Sequence, residues 1–223
     1  MTSIPIYLFD AYGTLFDVHS AVARHAARIG PVADRVSEIW RTKQLEYTWI
    51  HAATDQRVTF WELTERSLDF AIEASGATVD DKTRALLLDA YRELDAYPEV
   101  AEVLAALKQS GARLAILSNG DPDMLERAVS SAGLSGLFER VLSVSDAGTF
   151  KPHAIVYHLA VDAFDAAPEV MTFCSSNRWD IAGGSAFGFR SVWVNRLGRP
   201  NEYPEMVPDL IIDSLYGLIT KAG

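Results

Sequence analysis

The chain opens on a short apolar run, Ile4-Pro5-Ile6-Tyr7-Leu8-Phe9, which stops abruptly at Asp10. Apolar residues at successive rather than alternate positions predict a strand buried on both faces. From about Val18 to Leu94 the spacing changes to the three-and-four period of helices. Gly30-Pro31, Ala53-Thr54-Asp55 and Gly76-Ala77-Thr78 interrupt that stretch, so about four helices are expected in it.

Beyond Pro98 the two periods alternate. Helices are expected over Val100 to Lys108, Pro122 to Ala132, His153 to Phe164 and Trp179 to Phe187. Strands are expected over Arg113 to Leu117, Val141 to Val144, Val170 to Cys174, Ser191 to Val194 and Leu210 to Ile212, with a last helix after them. Strands alternating with helices predict an α/β fold, a doubly wound parallel sheet covered on both faces. The helical stretch follows the first strand directly, which predicts a helical cap domain over residues 16–97. Residues 1–15 and 98–223 would form the core domain. In such sheets ligands bind beyond the carboxyl ends of the strands. A cap inserted there is a lid.

Composition narrows the partners. A net charge of −10 argues against nucleic acid or an anionic membrane surface. No apolar stretch approaches the ~20 residues of a membrane span, and residues 1–10 lack the pattern of a signal peptide. One cysteine, Cys174, excludes an internal disulfide and suits a reducing compartment. A cytoplasmic soluble protein is the expectation. The five histidines, His19, His25, His51, His153 and His158, show no metal-ligand spacing, and neither a metal site nor a cofactor is read.

Four polar clusters end strands or begin helices on one side of this sheet. They are Asp10-Ala11-Tyr12-Gly13-Thr14, Ser118-Asn119-Gly120, Lys151-Pro152, and Ser175-Ser176-Asn177 with Asp180. Each alone has an ordinary explanation: a turn, a helix cap, a proline in a first helical turn, an acid complementing a helix dipole. Four of them converging on one strand edge point to a site instead.

These motifs, in this order and over nearly the whole chain, resemble those of the haloacid dehalogenase superfamily. Most members are phosphatases with a second aspartate two residues after the nucleophile and a metal-ligating aspartate in the last motif. Here those positions are Tyr12 and Ser176. Mg²⁺ is usually anchored by one or two carboxylates, so the pattern is more similar to the L-2-haloacid dehalogenases. The stretch Trp40 to Trp49, Phe60 and Trp193-Val194-Asn195-Arg196 resemble that group as well. Thr42, where glutamine is more usual, and His153-Ala154-Ile155 depart from it locally.

The resemblance implies a metal-independent displacement of halide from short 2-haloalkanoic acids by Asp10, then hydrolysis of the ester with net inversion. It implies that Lys151 pairs with Asp10, and that Thr14, Ser175, Asn177 and Tyr157 orient its carboxylate. Asp180 would activate the water, and Ser118 and Asn119 would bind the substrate carboxylate. Arg41 would receive the halide, and Tyr12, Leu45, Phe60 and Trp179 would wall the pocket. The spacing Arg41, Leu45, Trp49 sets a guanidinium on an apolar helical stripe, where a snorkelling arginine is the plain alternative. A homodimer is implied too. The competing readings are a phosphohydrolase with an unusual metal site and a silent binding protein on the same scaffold.

Overall fold

The computed structural model describes residues 4–220. Six parallel strands form one sheet in the order β3-β2-β1-β4-β5-β6. They are β1 (Ile6–Phe9), β2 (Arg113–Ser118), β3 (Arg140–Ser143), β4 (Met171–Ser175), β5 (Arg190–Val194) and β6 (Leu210–Ile212). β1 lies at the centre, paired with β2 through Phe9↔Ile116 and with β4 through Phe9↔Cys174. Leu8, Phe9, Ala115, Ile116, Phe173 and Cys174 are fully buried, as the unbroken apolar runs require of central parallel strands. The chain leaves β1 toward β2 on one side and returns to β4 on the other. The strand order reverses there, and sheets of this kind bind ligands at such a switch point, beyond the carboxyl ends.

Between β1 and the rest of the sheet stand four helices: α1 (Ser20–Ile29), α2 (Ala33–Ala53), α3 (Phe60–Ser75) and α4 (Asp81–Arg92). Their ends are set by local chemistry. Thr59 caps α3 in a reciprocal capping box with Glu62, and Gly76 closes it in the left-handed conformation at φ 72°. The Asp80 carboxylate accepts from Thr83 N at 2.7 Å to start α4. The flanking helices of the sheet are α5 (Val100–Gln109), α6 (Pro122–Ser131), α7 (Ala154–Phe164) and α8 (Arg178–Phe187), followed by the short α9 (Gly217–Thr220).

The differences from the sequence reading are local. Ile4 is exposed and precedes β1, Val144 opens a 3-10 turn, and Val170 ends another. β3 starts earlier, at Arg140, because it is an edge strand whose Val141 faces solvent. The stripe read on α2 is also corrected. The helix buries Val36, Ser37, Trp40, Gln44 and Thr48, while Trp49 is 38% exposed. Arg41 and Leu45 occupy the half-buried flank of that stripe, so the seam against α3 is partly polar. Among the described residues no helix is long and apolar enough to cross a membrane.

Candidate active site

The carboxyl ends of β1, β2 and β4 bring Asp10, Ser118 and Ser175 side by side, and all three are buried. Asp10 follows β1 immediately, its N–H donating to Cys174 O at 2.9 Å. Its two carboxylate oxygens are treated very differently. Oδ2 accepts from Asn177 Nδ2 at 2.8 Å, Thr14 Oγ1 at 2.9 Å and Ser175 Oγ at 3.3 Å. Among the described residues Oδ1 accepts only from Lys151 Nζ, at 3.2 Å. One oxygen is saturated by three neutral donors, and the other keeps lone pairs free beside an ammonium.

Lys151 is fully buried and also donates to Asp180 Oδ2 at 2.9 Å. Burial works against its charge, but Asp10 and then Asp180 outweigh it, so its pKa is raised. Asp180, in the first turn of α8 and fully buried, is pushed up to about 6, first by burial and then by Asp10, against the pull of Lys151. Both partners of one ion pair thus shift upward. Burial raises the acid, while the two carboxylates facing one ammonium raise the lysine.

Tyr157 stands elsewhere than the resemblance implied. Its hydroxyl donates to Asp180 Oδ1 at 2.9 Å rather than to Asp10. Tyr157 projects from α7 among Phe173, Phe187 and Phe189, a side from which the lysine reaches both acids but the phenol reaches only one. Ser118 Oγ accepts from Gly120 N at 3.1 Å, and Asn119 Oδ1 accepts from Lys151 N at 3.0 Å. These two shape the turn after β2 while the Ser118 proton and the Asn119 Nδ2 remain for other acceptors.

From the helical layer, Arg41 reaches into this cluster. Nη2 donates to Tyr12 O at 3.1 Å and Asn177 Oδ1 at 3.2 Å, and Nη1 donates to Gln44 Oε1 at 3.0 Å. That geometry decides against a snorkelling arginine. Tyr12 packs on Tyr91 at 5.8 Å and on Phe60 at 5.4 Å between ring centroids. Trp179 meets Trp49 edge-on at 5.5 Å, and Leu45 is half-buried one turn beyond Arg41. The Tyr12 hydroxyl and Trp179 Nε1 are buried with no partner among the described residues. Burial, and then Tyr91, hold the Tyr12 phenol well above its usual pKa, so it is a neutral donor. Among the described residues no group of three or more His, Cys, Asp or Glu side chains has a metal-binding arrangement. The space between Asp10 and Asp180 holds the Lys151 ammonium.

Three contributors escaped the sequence reading. Gln44 is fully buried, accepts from Arg41 and from Tyr91 Oη at 2.9 Å, and donates to Thr64 Oγ1 at 2.7 Å. A glutamine three residues after an arginine, on an otherwise apolar row with Val36 and Trp40, was the available signal. Tyr91 and Asp121 gave none, since each meets the site only across the fold.

The doubly wound sheet thus brings an acid, a lysine and a second acid together beneath a helical layer. The family model of the haloacid dehalogenase-like hydrolases matches residues 4–188. The chain is 44% identical to (S)-2-haloacid dehalogenase 1 of Pseudomonas sp. (strain CBS-3), over 91% of this chain and 89% of that one. A solved dehalogenase structure superposes with a TM-score of 0.95 at 40% identity, covering 99% of this chain and 97% of that chain. The L-2-haloacid dehalogenase from Xanthobacter autotrophicus with chloropropionic acid covalently bound superposes at 0.90 with 32% identity, covering 99% and 100%. The chain belongs to the haloacid dehalogenase-like hydrolase family.

Proposed function

We propose that the protein hydrolyses short (S)-2-haloalkanoic acids, haloacetates included, to 2-hydroxy acids through an ester on Asp10. The observation that carries this reading is the asymmetry of the Asp10 carboxylate. Oδ1, with lone pairs free, attacks carbon 2 opposite the halogen; the carbon–halogen bond breaks and halide leaves with its electron pair. Oδ2 becomes the carbonyl oxygen of the ester. Water then attacks the Asp10 Cγ, and the charge that develops on Oδ2 falls on Asn177, Thr14 and Ser175, already within 3.3 Å. Preorganised donors of this kind stabilise a transition state without reorganising.

Asp180 takes the proton of the attacking water as general base, oriented by Tyr157 and Lys151. The bond between Asp10 Cγ and Oδ1 breaks, and Asp180 returns its proton to the departing alkoxide, so that the hydroxy acid leaves with inverted configuration. Asp10 loses the remaining water proton to solvent and is restored as a carboxylate carrying the water's oxygen. Arg41 receives the halide, and Ser118, Asn119 and the unpartnered Tyr12 and Trp179 donors hold substrate oxygens or halide. Phe60 and Leu45 exclude water with the Tyr12 ring. The first step needs no divalent cation in this scheme, because the nucleophile displaces a stable anion while Lys151 and Arg41 supply positive charge. Residues 1–15 and 98–223 serve as the core domain and residues 16–97 as the cap. We also take the protein to be a cytoplasmic homodimer, with the exposed Trp49, Ile50 and Phe70 of the helical layer buried between protomers.

The test is halide release from L- and D-2-chloropropionate in EDTA, with Asp10→Asn as control. Chloride from the L-isomer alone, absent in the variant, is expected. No halide from these or from haloacetates, with chelator-sensitive turnover of a phosphomonoester instead, would refute the reading.

A further inference from the structure

The first turn of α3 is capped from two sides. Thr59 satisfies Glu62 N within the helix's own strand of chain. The other two free N–H groups, Phe60 N and Trp61 N, donate to Asp121 at 3.2 and 2.8 Å, one to each carboxylate oxygen. Asp121 belongs to the opposite layer: it follows the Ser118-Asn119-Gly120 turn of β2 and precedes α6. It is 8% exposed, and among the described residues no lysine, arginine or histidine pairs with it. Ser145 Oγ adds a bond at 3.4 Å. A buried carboxylate with no counter-cation is tolerated where helix N–H groups and the helix dipole supply the positive end. Here that end belongs to the other layer.

From α3 a chain of hydrogen bonds runs to the nucleophile. Thr64 accepts from Trp40 Nε1 at 2.9 Å and from Gln44 Nε2 at 2.7 Å. Gln44 holds Arg41 Nη1, and Arg41 Nη2 holds Asn177, which donates to Asp10. Phe60 itself lies against Tyr12.

We propose that Asp121 is a positioning residue for dehalogenation. By capping α3 from the sheet side, it sets where Arg41 and Phe60 stand over Asp10. The proposal rests on the halide-displacement reading above. It differs from an ordinary stabilising cap in that the same helix end has a second cap, Thr59, with no link to the sheet. A misplacement of about 1 Å in such a support can cost about a hundredfold in rate.

The experiment compares the full-length protein with Asp121→Ala, Asp121→Asn and Thr59→Ala, measuring kcat and KM for L-2-chloropropionate and L-2-bromopropionate. Asp121→Ala is expected to lower kcat at least tenfold. The loss should be several-fold larger for chloride, the poorer leaving group, because Arg41 meets the departing anion. Asp121→Asn retains one acceptor oxygen and should recover part of the loss. Thr59→Ala weakens the same turn from the solvent side and should leave both kcat values and their ratio within twofold. Wild-type kcat and halide ratio in Asp121→Ala, or a Thr59→Ala that matches it, would overturn the proposal. If Asp121→Ala does not fold, Asp121→Asn decides on the same scale, wild-type values again overturning it. A wild type that releases no halide sinks the dehalogenase reading instead, which keeps the two failures distinct.

Discussion

Replacing Asp180 by asparagine separates what this residue costs the fold from what it does for the reaction. Asp10 and Asp180 share one ammonium, Lys151, in a site with almost no solvent access. The Asp180 carboxyl is pushed from its ordinary 3.8 to about 6, chiefly by burial. That is roughly two pH units, and at ~1.4 kcal/mol each, ionised Asp180 weakens the fold by about 3 kcal/mol at neutral pH. The sign follows from proton binding. The folded state holds the Asp180 proton to higher pH than the unfolded chain does. Its favourable contribution is therefore full below pH 3.8 and is lost as pH rises through about 6.

Asparagine has no such dependence. The stability of the wild type relative to Asp180→Asn should fall between pH 4 and pH 7.5 by up to about 3 kcal/mol. For a chain of this size that moves the difference in melting temperature by roughly 6–12 °C. The constant offset from the lost Lys151 and Tyr157 bonds cancels between the two pH values. Calorimetric melting of both proteins at fixed ionic strength reads it directly. A difference that stays flat across that range, or moves toward the wild type, would refute the reasoning and mean that Lys151 compensates both acids. In the proposed scheme Asp180 acts only on the water, so the variant should still form the ester. Mass spectrometry after mixing with substrate would then show a persistent adduct on Asp10.

Two further outcomes are expected. Gln44→Leu strips partners from Arg41, Tyr91 and Thr64, three groups bonded to it within 3.0 Å. Orphaned buried polar groups cost ~1–3 kcal/mol each, so a melting temperature lowered by several degrees is expected, with kcat/KM down at least tenfold; unchanged kinetics would separate Arg41 placement from Gln44. Gly120→Ala sets a methyl 2.7 Å from Tyr12 Cε2 and 3.1 Å from Leu125 Cδ2. Overpacking of this kind costs ~1–3 kcal/mol, and the cost should shrink in a Tyr12→Leu background, as a double-mutant cycle by urea denaturation would show.

Much of this molecule is determined locally. The apolar runs of β1 and β2 reach their carboxyl ends without a polar break, and that of β4 is interrupted only by Thr172, which is the pattern of strands buried on both faces. The parallel order then forces Asp10, Ser118 and Ser175 onto one edge. The breaks at Gly30, Thr54 and Gly76 delimit four helices because glycine and a capping or turn residue end a helix wherever it lies. The motif residues of the site were legible for the same reason: each ends a strand or starts a helix, and chain order alone brings them together.

What the sequence could not determine are the pairings made across layers. Nothing local states that Tyr157 meets Asp180 rather than Asp10, since both acids lie near the lysine and only the packing of α7 against α8 chooses. Helical period assigned Arg41, Leu45 and Trp49 to one stripe, but which neighbouring row faces inward is decided by α3, whose Thr64 draws Gln44 and Trp40 toward it. Asp121 reads in sequence as the residue before a helix-starting proline. Only the tertiary structure turns its carboxylate away from α6 and onto the first turn of α3, where Phe60 N and Trp61 N have no other acceptor among the described residues.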